Sequence, residues 1–366
     1  MVMIIGAGPA GSYTAYLLAK KGIDVQVFEE HNIIGEPFAC TGIITGILSN
    51  HFKPPEEVIL RKIDSSRIFS PSGDYVDVGL KNDVVLDRAK LDRHLAKIAQ
   101  EAGAKYFLGK RFVDCAKDRD IWKVRIYDRE KGGTETMMTD ALVGADGPLS
   151  RVAKSAGIYG ERKFYTGIQV TAEAENDGFI EFYPKGKDIA WFVPAEKGKA
   201  RVGIAALERP DEVFRRFVRE RLGQDYEKKV VARQAGLIPL YNPKIKTEKD
   251  GVYLVGDAAT TAKATTLGGI NQSLTGAMCL TEAILSGKSY EKLWKKRMGR
   301  ELRIALLMRK AMNKFSDEDY EKLVNIFKKE KNRKLLENYE RDAPSKFAFK
   351  LALREPRLLG FARFML

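Results

Sequence analysis

The sequence has few of the residues from which disulfide-bonded and metal-binding proteins are built. Its three cysteines, Cys40, Cys115 and Cys279, are odd in number and far apart in the chain. This pattern argues against a disulfide framework or a zinc site and is typical of a reducing, cytoplasmic compartment. The three histidines stand at no metal-ligand spacing, so we expect no metal site.

Long apolar runs and common hydrolase motifs are also missing. No run of about 18 apolar residues occurs, so we expect no membrane-spanning helix. The apolar strand "VMII" begins at residue 2, so we expect no signal peptide either. The sequence contains no G-x-S-x-G, H-E-x-x-H, P-loop or C-x-x-C motif, which argues against the enzyme classes that these motifs mark.

Positive charge is unevenly distributed. The net charge is +14, and residues 291–366 hold 21 Lys and Arg against 11 Asp and Glu. This tail also carries apolar residues, as in "FAFKLALREPRLLGFARFML". It fits a solvated helical surface, a peripheral contact with anionic membrane, or a nucleic-acid surface. No motif that combines aromatic and basic residues supports the last interpretation, so we expect no nucleic-acid partner.

The first 29 residues carry a nucleotide-binding signature. An apolar strand, Val2–Ile5, runs into Gly6, Gly8 and Gly11 of a G-x-G-x-x-G motif. A helix-forming run and a second strand follow, and that strand ends at Glu29. The glycines permit a tight turn and close approach of a pyrophosphate, and the terminal acid is placed to bind a ribose diol. The unit predicts a dinucleotide site without separating NAD from FAD.

Two later stretches favour FAD. "LVGADGPLSRVAK" (142–154) and the start of 251–285, "GVYLVGDAA", are both apolar strands that end in a Gly and Asp pair. Asp257 is placed to bind a ribityl hydroxyl of FAD. The loop "LGGI" (267–270) heads a long helix whose N–H groups can face the flavin pyrimidine and stabilise negative charge there.

Four motifs together resemble the flavoprotein superfamily typified by para-hydroxybenzoate hydroxylase: "GAGPAG", "DRAKLDRHL" (87–95), "GADGPLSR" and "YLVGDAA". The resemblance implies an α/β fold, in which a Rossmann-like FAD-binding domain carries an inserted antiparallel β-sheet substrate domain and a C-terminal helical tail. It also implies a set of cofactor-binding residues. They are Gly6, Gly8, Ala10, Gly11, Glu29, Cys40, Thr41, Arg88, Val113, Asp257, Gly269 and Ile270.

Within that superfamily the chain resembles the geranylgeranyl reductases, especially the archaeal enzymes that saturate isoprenoid chains of membrane lipids. "GEPFAC", which ends at Cys40, is similar to that family's Gly-x-Pro-x-x-Cys loop. "IAWFVPAEKGKARVGIA" (189–205) is similar to its Tyr-x-Trp-x-Phe-Pro stretch followed by Gly-x-Gly, with Trp191, Pro194 and Gly203 in place. Three positions depart from that pattern: Ile189, Val193 and Ala205.

The resemblance implies an FAD-dependent reductase of C=C bonds in geranylgeranyl chains, with hydride supplied by reduced flavin. An isoprenoid lipid is the implied substrate, and the electron donor, NAD(P)H or ferredoxin, stays open. A prenyl chain needs an apolar pocket with few polar groups. The strands "FIEFYP" and "IAWFVP" supply the candidate pocket residues Phe182, Tyr183, Trp191 and Pro194, and plain sheet core is the alternative for each of them.

Cys40 is the candidate catalytic residue. Reduction of a C=C bond needs a hydride on one carbon and a proton on the other. An isolated thiol in a glycine-rich loop suits a proton donor. The alternative is a small side chain that only packs on the flavin.

Two rival functions use the same fold. An aromatic monooxygenase or halogenase combines the flavin with oxygen, and the Trp191 stretch also resembles a halogenase Trp-x-Trp-x-Ile-Pro pattern, with Ile189 at the first Trp. The other rival is a non-catalytic FAD-holding module that serves a membrane-bound partner.

The order of the motifs predicts interleaved domains. FAD-binding segments are expected at 1–75, 85–160 and 251–290, a substrate domain at 161–250, and a basic helical region at 291–366. A chain of 366 residues is long enough for this arrangement. The stretch 207–223 predicts an amphipathic helix in the substrate domain, with Val213, Phe217, Val218 and Leu222 facing inward.

Overall fold

The computed structural model describes residues 1–37, 39–46, 52–338, 344–345, 355, 361 and 364. Within them the strands are, in chain order, β1 (Val2–Ile5), β2 (Val25–Phe28), β3 (Ile43–Ile44), β4 (Ile59–Phe69), β5 (Tyr75–Leu86), β6 (Lys105–Phe107), β7 (Lys110–Asp118), β8 (Ile121–Asp128), β9 (Gly133–Thr139), β10 (Ala141–Gly144), β11 (Phe164–Glu173), β12 (Ile180–Lys185), β13 (Asp188–Pro194), β14 (Lys199–Ala206), β15 (Val230–Pro239), β16 (Glu248–Lys249) and β17 (Val252–Leu254). The helices are α1 (Pro9–Ala19), α2 (Arg88–Glu101), α3 (Arg151–Ser155), α4 (Pro210–Leu222), α5 (Ile270–Ser286), α6 (Tyr290–Trp294), α7 (Arg300–Met312), α8 (Asp317–Lys328) and α9 (Glu330–Glu337). Shorter 3-10 turns occupy Glu56–Val58, Tyr226–Lys229 and Gly256–Ala259, and a π-helical stretch occupies Lys295–Gly299.

The chain forms two compact units, each assembled from three stretches. The first unit contains Met1–Phe38, Arg88–Lys163 and Pro239–Leu302, and the second contains Ala39–Asp87, Phe164–Ile238 and Arg303–Leu366. Relative to the predicted segments, residues 39–75 group with the second unit, and the C-terminal region is shared between the units. The chain passes repeatedly between the two units.

The first unit is built on a six-stranded, mostly parallel sheet with the order β16-β17-β10-β1-β2-β6. Strands β2, β1, β10 and β17 run parallel, with β6 parallel to β2 and β16 antiparallel at the edge. Such strands are buried on both sides, which explains why "VMII" and "ALVG" are nearly continuous apolar runs. Helix α1 connects β1 to β2 and packs against α2 and α5.

A second layer in this unit is the antiparallel meander β7-β8-β9. Apolar residues of the meander and α3, among them Trp122, Val124 and Val152, share a core with Met3 and Ile5 of β1. Because side chains alternate along a strand, the remaining β1 residues point to the opposite side of the sheet. The arrangement confirms the predicted Rossmann-like architecture.

The second unit is built on an eight-stranded sheet with the order β15-β11-β14-β13-β12-β4-β5-β3. The pairs β11–β14, β14–β13, β13–β12, β4–β5 and β5–β3 are antiparallel. Strands β12 and β4 pair in parallel, which joins the strands of residues 43–86 to those of residues 164–206. This sheet confirms the predicted, mainly antiparallel insertion.

Helix α4 covers one face of that sheet. Its buried residues are Phe214, Phe217, Val218 and Leu222, and they pack with apolar side chains of β11, β13 and β14. The predicted helix at 207–223 is therefore present over 210–222, and Val213 lies at the edge of the cluster. Pro210 at the first helical turn and Gly223 after the last residue are typical of such a helix.

The predicted C-terminal helices are α6 to α9, of which α8 and α9 pack on β5. Most of the segment 347–366, on which the membrane hypothesis depends, lies outside the described residues. Among the residues that are described, no helix is both long and apolar enough to cross a bilayer. The same part of the chain holds no group of three or more His, Cys, Asp and Glu arranged to bind a metal ion.

Candidate functional site

The glycine loop between β1 and α1 brings three backbone segments into contact. Gly6 has a φ of +103°, and a Cβ at this position would lie 2.4 Å from the carbonyl oxygen of Ala145. A Cβ at Gly11 would lie 2.0 Å from the carbonyl oxygen of Gly6. At Gly8, in contrast, a Cβ would have no neighbour within 4 Å. The loop is therefore tight against the sheet and open on the side where the N-terminus of α1 points.

Helix α1 begins without a capping side chain. Gly8 is its N-cap and Pro9 its first residue, and no side chain accepts a hydrogen bond from the first turn. The N–H groups of its first turn and the positive end of the helix dipole are suited to the negative charge of a pyrophosphate. Ala10 of α1 lies beside the turn Gly256–Ala259, because a Cβ placed on Gly256 would be 2.8 Å from the Cβ of Ala10.

Glu29 holds its carboxylate next to the same loop. Its Oε2 accepts a hydrogen bond from the Ala7 N–H at 2.8 Å. Its Oε1 accepts from the His31 N–H at 3.0 Å and lies 2.7 Å from His31 Nδ1. The side chain is 13% exposed. An acceptor fixed at the end of β2 is the arrangement expected for binding a ribose diol.

A second uncapped helix start, that of α5, lies beside the turn that follows β17. Gly269 is the N-cap of α5 and Ile270 its first residue, with no side-chain cap. A Cβ on Gly269 would lie 3.3 Å from Asp257 Oδ1, so this carboxylate sits beside the start of α5. Burial raises the pKa of Asp257 to about 6, against the opposing effect of the positive charges of Arg88 and Arg162.

Arg88 and Asp92 form an ion pair within the first turns of α2. Arg88 Nη2 donates to the two carboxylate oxygens of Asp92 at 3.0 and 3.2 Å. The two side chains are 11% and 7% exposed. Burial raises the pKa of Asp92, although Arg88 opposes the effect. The pair explains the spacing of the Arg-x-x-Leu-Asp pattern, and contact of Arg88 with FAD stays a prediction.

The motif "GADGPLSR" caps a short helix. Asp146 Oδ2 accepts hydrogen bonds from the Arg151 and Val152 N–H groups at 2.7 and 3.1 Å, and Ser150 Oγ accepts from Ala153 at 2.9 Å. The aspartate and serine of this motif therefore accept hydrogen bonds from the backbone N–H groups of α3.

Arg162 is a residue of this region that the sequence did not indicate. Its guanidinium donates to the carbonyl oxygens of Tyr159, Pro148 and Ala258 at 3.0, 3.0 and 2.8 Å. It thereby ties the 146–150 turn to the turn that carries Asp257. No motif surrounds Arg162 in the sequence, so only the tertiary contacts reveal this role.

Val113 lies at an irregularity of the meander. The pairing of β7 with β8 shifts between Phe112 and Asp114, which leaves Val113 without a cross-strand partner in the register. A bulge frees backbone N–H and C=O groups from the ladder. Val113 is thus placed to offer backbone hydrogen bonds, and its contact with the cofactor stays a prediction.

In the second unit, the Cys40 loop is held against the β-sheet. Gly42 has a φ of +80°, and a Cβ there would lie 2.4 Å from the carbonyl oxygen of Leu86 and 2.6 Å from Arg201 Nη1. Arg201, buried in β14, donates to the carbonyl oxygens of Thr41 and Leu86 at 2.6 and 3.1 Å. The sequence did not indicate Arg201, which is 160 positions from Thr41.

Cys40 differs from the other two cysteines in its exposure. It is half-buried, whereas Cys115 and Cys279 are buried. Its Sγ accepts a hydrogen bond from the Gly42 N–H at 3.3 Å. Burial raises the pKa of Cys115 to about 11 and also raises the pKa of Cys279. Cys40 is therefore the thiol that a substrate or reagent can reach among the three.

Gln169 of β11 connects this loop to the candidate pocket. Its Nε2 donates to the carbonyl oxygen of Cys40 at 3.0 Å. Its Oε1 accepts from Thr41 Oγ1 and from the indole Nε1 of Trp191, both at 3.2 Å. Three residues singled out in the sequence thus meet at a fourth that was not.

The four candidate pocket residues divide between the two faces of the sheet. Phe182 and Trp191 are directly paired across β12 and β13 and pack on Ile63 and Val193. Tyr183 points the other way, where its ring stacks on that of Phe69 at a centroid distance of 4.5 Å.

Tyr183 also meets Phe217 of α4, edge to face, at 5.1 Å. Pro194 follows Val193 in β13 and, by the alternation of the strand, shares the α4 side with Tyr183. The structure therefore brings Phe182 and Trp191 to the face that carries Cys40 and separates Tyr183 and Pro194 from them.

Comparison with known proteins adds family information to this geometry. A family model described as an FAD binding domain matches residues 64–289, and one described as an NAD(P)-binding Rossmann-like domain matches residues 4–39. The chain is 31% identical to a digeranylgeranylglycerophospholipid reductase of Methanosarcina acetivorans over 367 residues, covering 90% of this chain and 89% of the relative. It is 29% identical to the protein of the same name from Methanothrix thermoacetophila, covering 90% and 91%.

The fold is also found in a solved structure. A geranylgeranyl bacteriochlorophyll reductase-like protein from Thermoplasma acidophilum superimposes with a TM-score of 0.87 at 24% identity, covering 100% of this chain and 98% of that one. At this identity the likeness shows the fold. The open glycine loop, the two uncapped helix starts and the Glu29 carboxylate fit the cofactor that the matching family model names.

Proposed function

We propose that this chain, which belongs to the digeranylgeranylglycerophospholipid reductase family of FAD-binding proteins, reduces C=C bonds in geranylgeranyl chains of membrane-lipid precursors. FAD is its cofactor. The observation that carries the substrate assignment is the apolar sheet face on which Phe182 and Trp191 adjoin the Cys40 loop.

The first unit supplies the residues that would hold FAD. The N-terminus of α1 would bind the pyrophosphate, and the Glu29 carboxylate would accept from a ribose hydroxyl. Asp257 and the start of α5 would bind the ribityl and pyrimidine portions. Arg88 and Val113 complete the set that this unit contributes, and Cys40 and Thr41 stay predicted cofactor contacts.

The chemistry needs two hydrogens of different character. The hydride for one alkene carbon would come from bound, reduced FAD. We assign the proton for the other carbon to the Cys40 thiol: the S–H bond breaks, a C–H bond forms, and the resulting thiolate regains a proton from water. Cys40 suits this role because it is half-buried on a loop that Gln169 and Arg201 hold in place.

The sheet face suits a prenyl chain. Phe182 and Trp191 offer aromatic surface, and the cluster behind them is aliphatic, with Ile63, Val85 and Ile180. An apolar wall with one polar corner is typical of sites for apolar ligands. The polar corner here is the Gln169 amide with the Cys40 loop.

The electron donor and the membrane contact belong to the same proposal. The NAD(P)-binding match covers residues 4–39, the glycine loop that we assign to FAD, so it supports a dinucleotide there and indicates no second site. NAD(P)H and ferredoxin both stay candidates as donor. A lipid substrate favours peripheral contact with anionic membrane through the basic C-terminal segment.

The direct test is anaerobic. The purified, yellow protein is reduced with dithionite and mixed with a geranylgeranylated lipid in detergent, while the flavin spectrum and the product mass are followed. We expect flavin reoxidation with a gain of about two mass units per double bond, the sum of one hydride and one proton. Flavin that stays reduced under argon but reoxidises in air with a hydroxylated or halogenated product would replace this proposal with the oxygenase alternative.

Cys40→Ala is the variant that tests the proton assignment in the same assay. We expect alkene reduction to fall by about 100-fold or more with normal FAD content, because general acids contribute about 10²–10⁴ in rate. Cys115→Ala is the matched control, since it removes a buried thiol from a strand of the first unit. Equal turnover in Cys40→Ala and Cys115→Ala would leave Cys40 with a packing role only.

A further inference from the structure

Gln169 is the point at which two separate segments of the second unit meet. It lies in β11 and is 4% exposed. One segment is the Cys40 loop, which it contacts at the Cys40 carbonyl oxygen and at Thr41 Oγ1. The other is β13, which it contacts at the Trp191 indole. Gln169 is 129 positions from Cys40 and 22 from Trp191.

Both the oxygen and the NH₂ group of the Gln169 amide make hydrogen bonds. The oxygen accepts from Thr41 and Trp191, and the NH₂ group donates to Cys40 and to Gln234 Oε1. An amide has two donor hydrogens and two acceptor lone pairs, so these four bonds use its whole capacity. A carboxylate at this position would keep the acceptor side and lose both donors.

Gly203 makes the contact between Gln169 and Trp191 possible. In the sheet, Gly203 of β14 stands directly between them, paired with Gln169 on one side and with Trp191 on the other. A Cβ on Gly203 would lie 2.4 Å from the Cβ of Gln169 and 2.6 Å from the carbonyl oxygen of Ile168. The missing side chain lets the indole reach across β14 to the amide.

Together these contacts hold the backbone that carries the Cys40 side chain. Gln169 holds the Cys40 carbonyl, Arg201 holds the Thr41 carbonyl, and the Gly42 N–H donates to Cys40 Sγ. The backbone from the Cys40 carbonyl to the Thr41 carbonyl is therefore anchored to β11 and β14, and β14 is the strand that pairs with the Trp191 strand, β13. A residue that joins the loop to the pocket wall fixes the distance between them.

We infer that Gln169 is a positioning residue, which aligns the Cys40 thiol with the Trp191 face and uses the gap at Gly203 to do so. The inference rests on the proposed function for the roles of Cys40 and Trp191. It does not require Gln169 to touch the substrate or FAD.

The test measures the reactivity of the thiol itself in the FAD-bound protein. The rate constant for N-ethylmaleimide addition to the Cys40 thiolate, obtained from the pH dependence of alkylation, is followed by peptide mass spectrometry in wild type and in Gln169→Glu. The variant keeps the side-chain volume, and comparing thiolates removes the effect of its added negative charge on the thiol. We expect the rate to rise about fivefold in the variant, the factor that corresponds to one lost hydrogen bond. Val170→Ala is the matched control, because Val170 is the next residue of β11 and packs on the opposite, α4-covered face.

Equal rates in wild type and Gln169→Glu, or the same rise in Val170→Ala, would overturn the inference. A second pair of variants repeats the test from the other strand. Gly203→Ala should raise the Cys40 rate like Gln169→Glu, whereas Gly167→Ala, where a Cβ would meet neighbours at ordinary distances of 3.4 Å and more, should leave it unchanged. If the Gly203 and Gly167 variants behave alike, the gap at Gly203 has no such role.

Turnover is measured on the same samples. We expect Gln169→Glu to lower the rate of alkene reduction while FAD content and the apparent affinity for lipid change little, as expected for a misaligned proton donor. Because alkylation needs no substrate, the inference about Gln169 and the assignment of the reaction can fail separately. Absence of alkene reduction in wild type would reject only the reaction, while the alkylation rates would still decide the role of Gln169.

Discussion

Asp257 lies half-buried in the turn after β17, beside the start of α5, and burial raises the pKa of its carboxyl to about 6. Arg88 and Arg162 act in the opposite direction without cancelling the effect. The folded protein therefore binds a proton at Asp257 more tightly than the unfolded chain does, in which the pKa is near 3.8. A neutral acid at this position can donate a hydrogen bond as well as accept one.

This shift predicts a pH-dependent contribution to stability. A raised folded-state pKa contributes stability below about pH 4, and that contribution is lost as the pH rises through about 6. In urea unfolding of the FAD-free protein, Asp257→Asn should gain about 2 kcal/mol relative to wild type between pH 4 and pH 7. Asp120→Asn, at an exposed turn, is the control and should keep a constant difference from wild type. A constant difference in Asp257→Asn as well would show that the carboxyl titrates normally.

Residues without a motif do much of the positioning. Arg162, Gln169 and Arg201 donate to backbone carbonyl oxygens of segments remote in the chain. The acceptors in these hydrogen bonds are main-chain carbonyl oxygens, which every residue has. These contacts therefore cannot be predicted from a sequence motif. By contrast, Glu29 was predictable because the strand and glycine motif place it.

At the scale of elements, the β1–α1 turn is set by close contact as much as by backbone conformation. Gly6 and Gly22 both have positive φ values, of 103° and 78°. Only Gly6 is also pressed against another strand end, at Ala145, while a Cβ on Gly22 would meet nothing within 4 Å. Comparing the two glycines therefore separates the cost of a positive φ from the cost of a steric clash with a neighbouring strand.

The matching prediction compares alanine at the two positions. Gly22→Ala should cost about 1 kcal/mol of unfolding free energy, the price of a left-handed conformation. Gly6→Ala should cost more than about 3 kcal/mol and lose bound FAD, because a Cβ 2.4 Å from a carbonyl oxygen forces β1 and β10 apart. Urea unfolding and flavin content measure both effects. Similar losses in the two variants would mean that the positive φ alone accounts for the requirement for glycine at position 6.

The pleat of the second sheet decides which aromatic residues can share a pocket. Phe182 and Tyr183 are neighbours in β12, so their side chains must lie on opposite faces. The alternation can be read in the sequence "FIEFYP". The sequence prediction nevertheless placed all four candidate residues in one pocket, because it relied on their apolar and aromatic character. The face with Phe182 and Trp191 is the one that the hydrogen bonds of Gln169 join to Cys40.

At the scale of the whole molecule, the chain is divided between two units that each use three separate stretches. The proposed FAD residues Gly6 to Gly11, Glu29, Arg88, Val113 and Asp257 all belong to the first unit. Cys40, Thr41 and Trp191 belong to the second. Cofactor binding is therefore expected to stabilise the first unit directly.

Ligand-induced stabilisation tests that expectation. A ligand that binds only the folded state at 100 times its Kd adds about 2.7 kcal/mol, so FAD should raise the midpoint of thermal unfolding of the FAD-free protein. Riboflavin, which lacks the pyrophosphate, should raise it less, because it offers nothing to the N-terminus of α1. Equal shifts with the two ligands would remove the α1 start from the proposed site, and no shift with FAD would remove the site altogether.

Features whose parts are contiguous in the chain could be predicted from the sequence alone. The strand, glycine turn, helix and terminal acid at residues 2–29 are one local unit, and their backbone geometry follows from their own residues. The period of 210–222 likewise predicts α4, because its apolar residues repeat along one helical face. The interleaved α/β fold followed from the order of such units.

Contacts between segments that are far apart in the chain could be found only in the tertiary structure. The grouping of residues 39–75 with the second unit, the parallel pairing of β12 with β4, and the place of Gln169 between Cys40 and Trp191 depend on contacts between distant segments. Such contacts form when a sheet brings strands into register, and register is a property of all the strands together. The sequence of a single strand shows which side chains share a face. The residues that this face contacts depend on the neighbouring strands and helices.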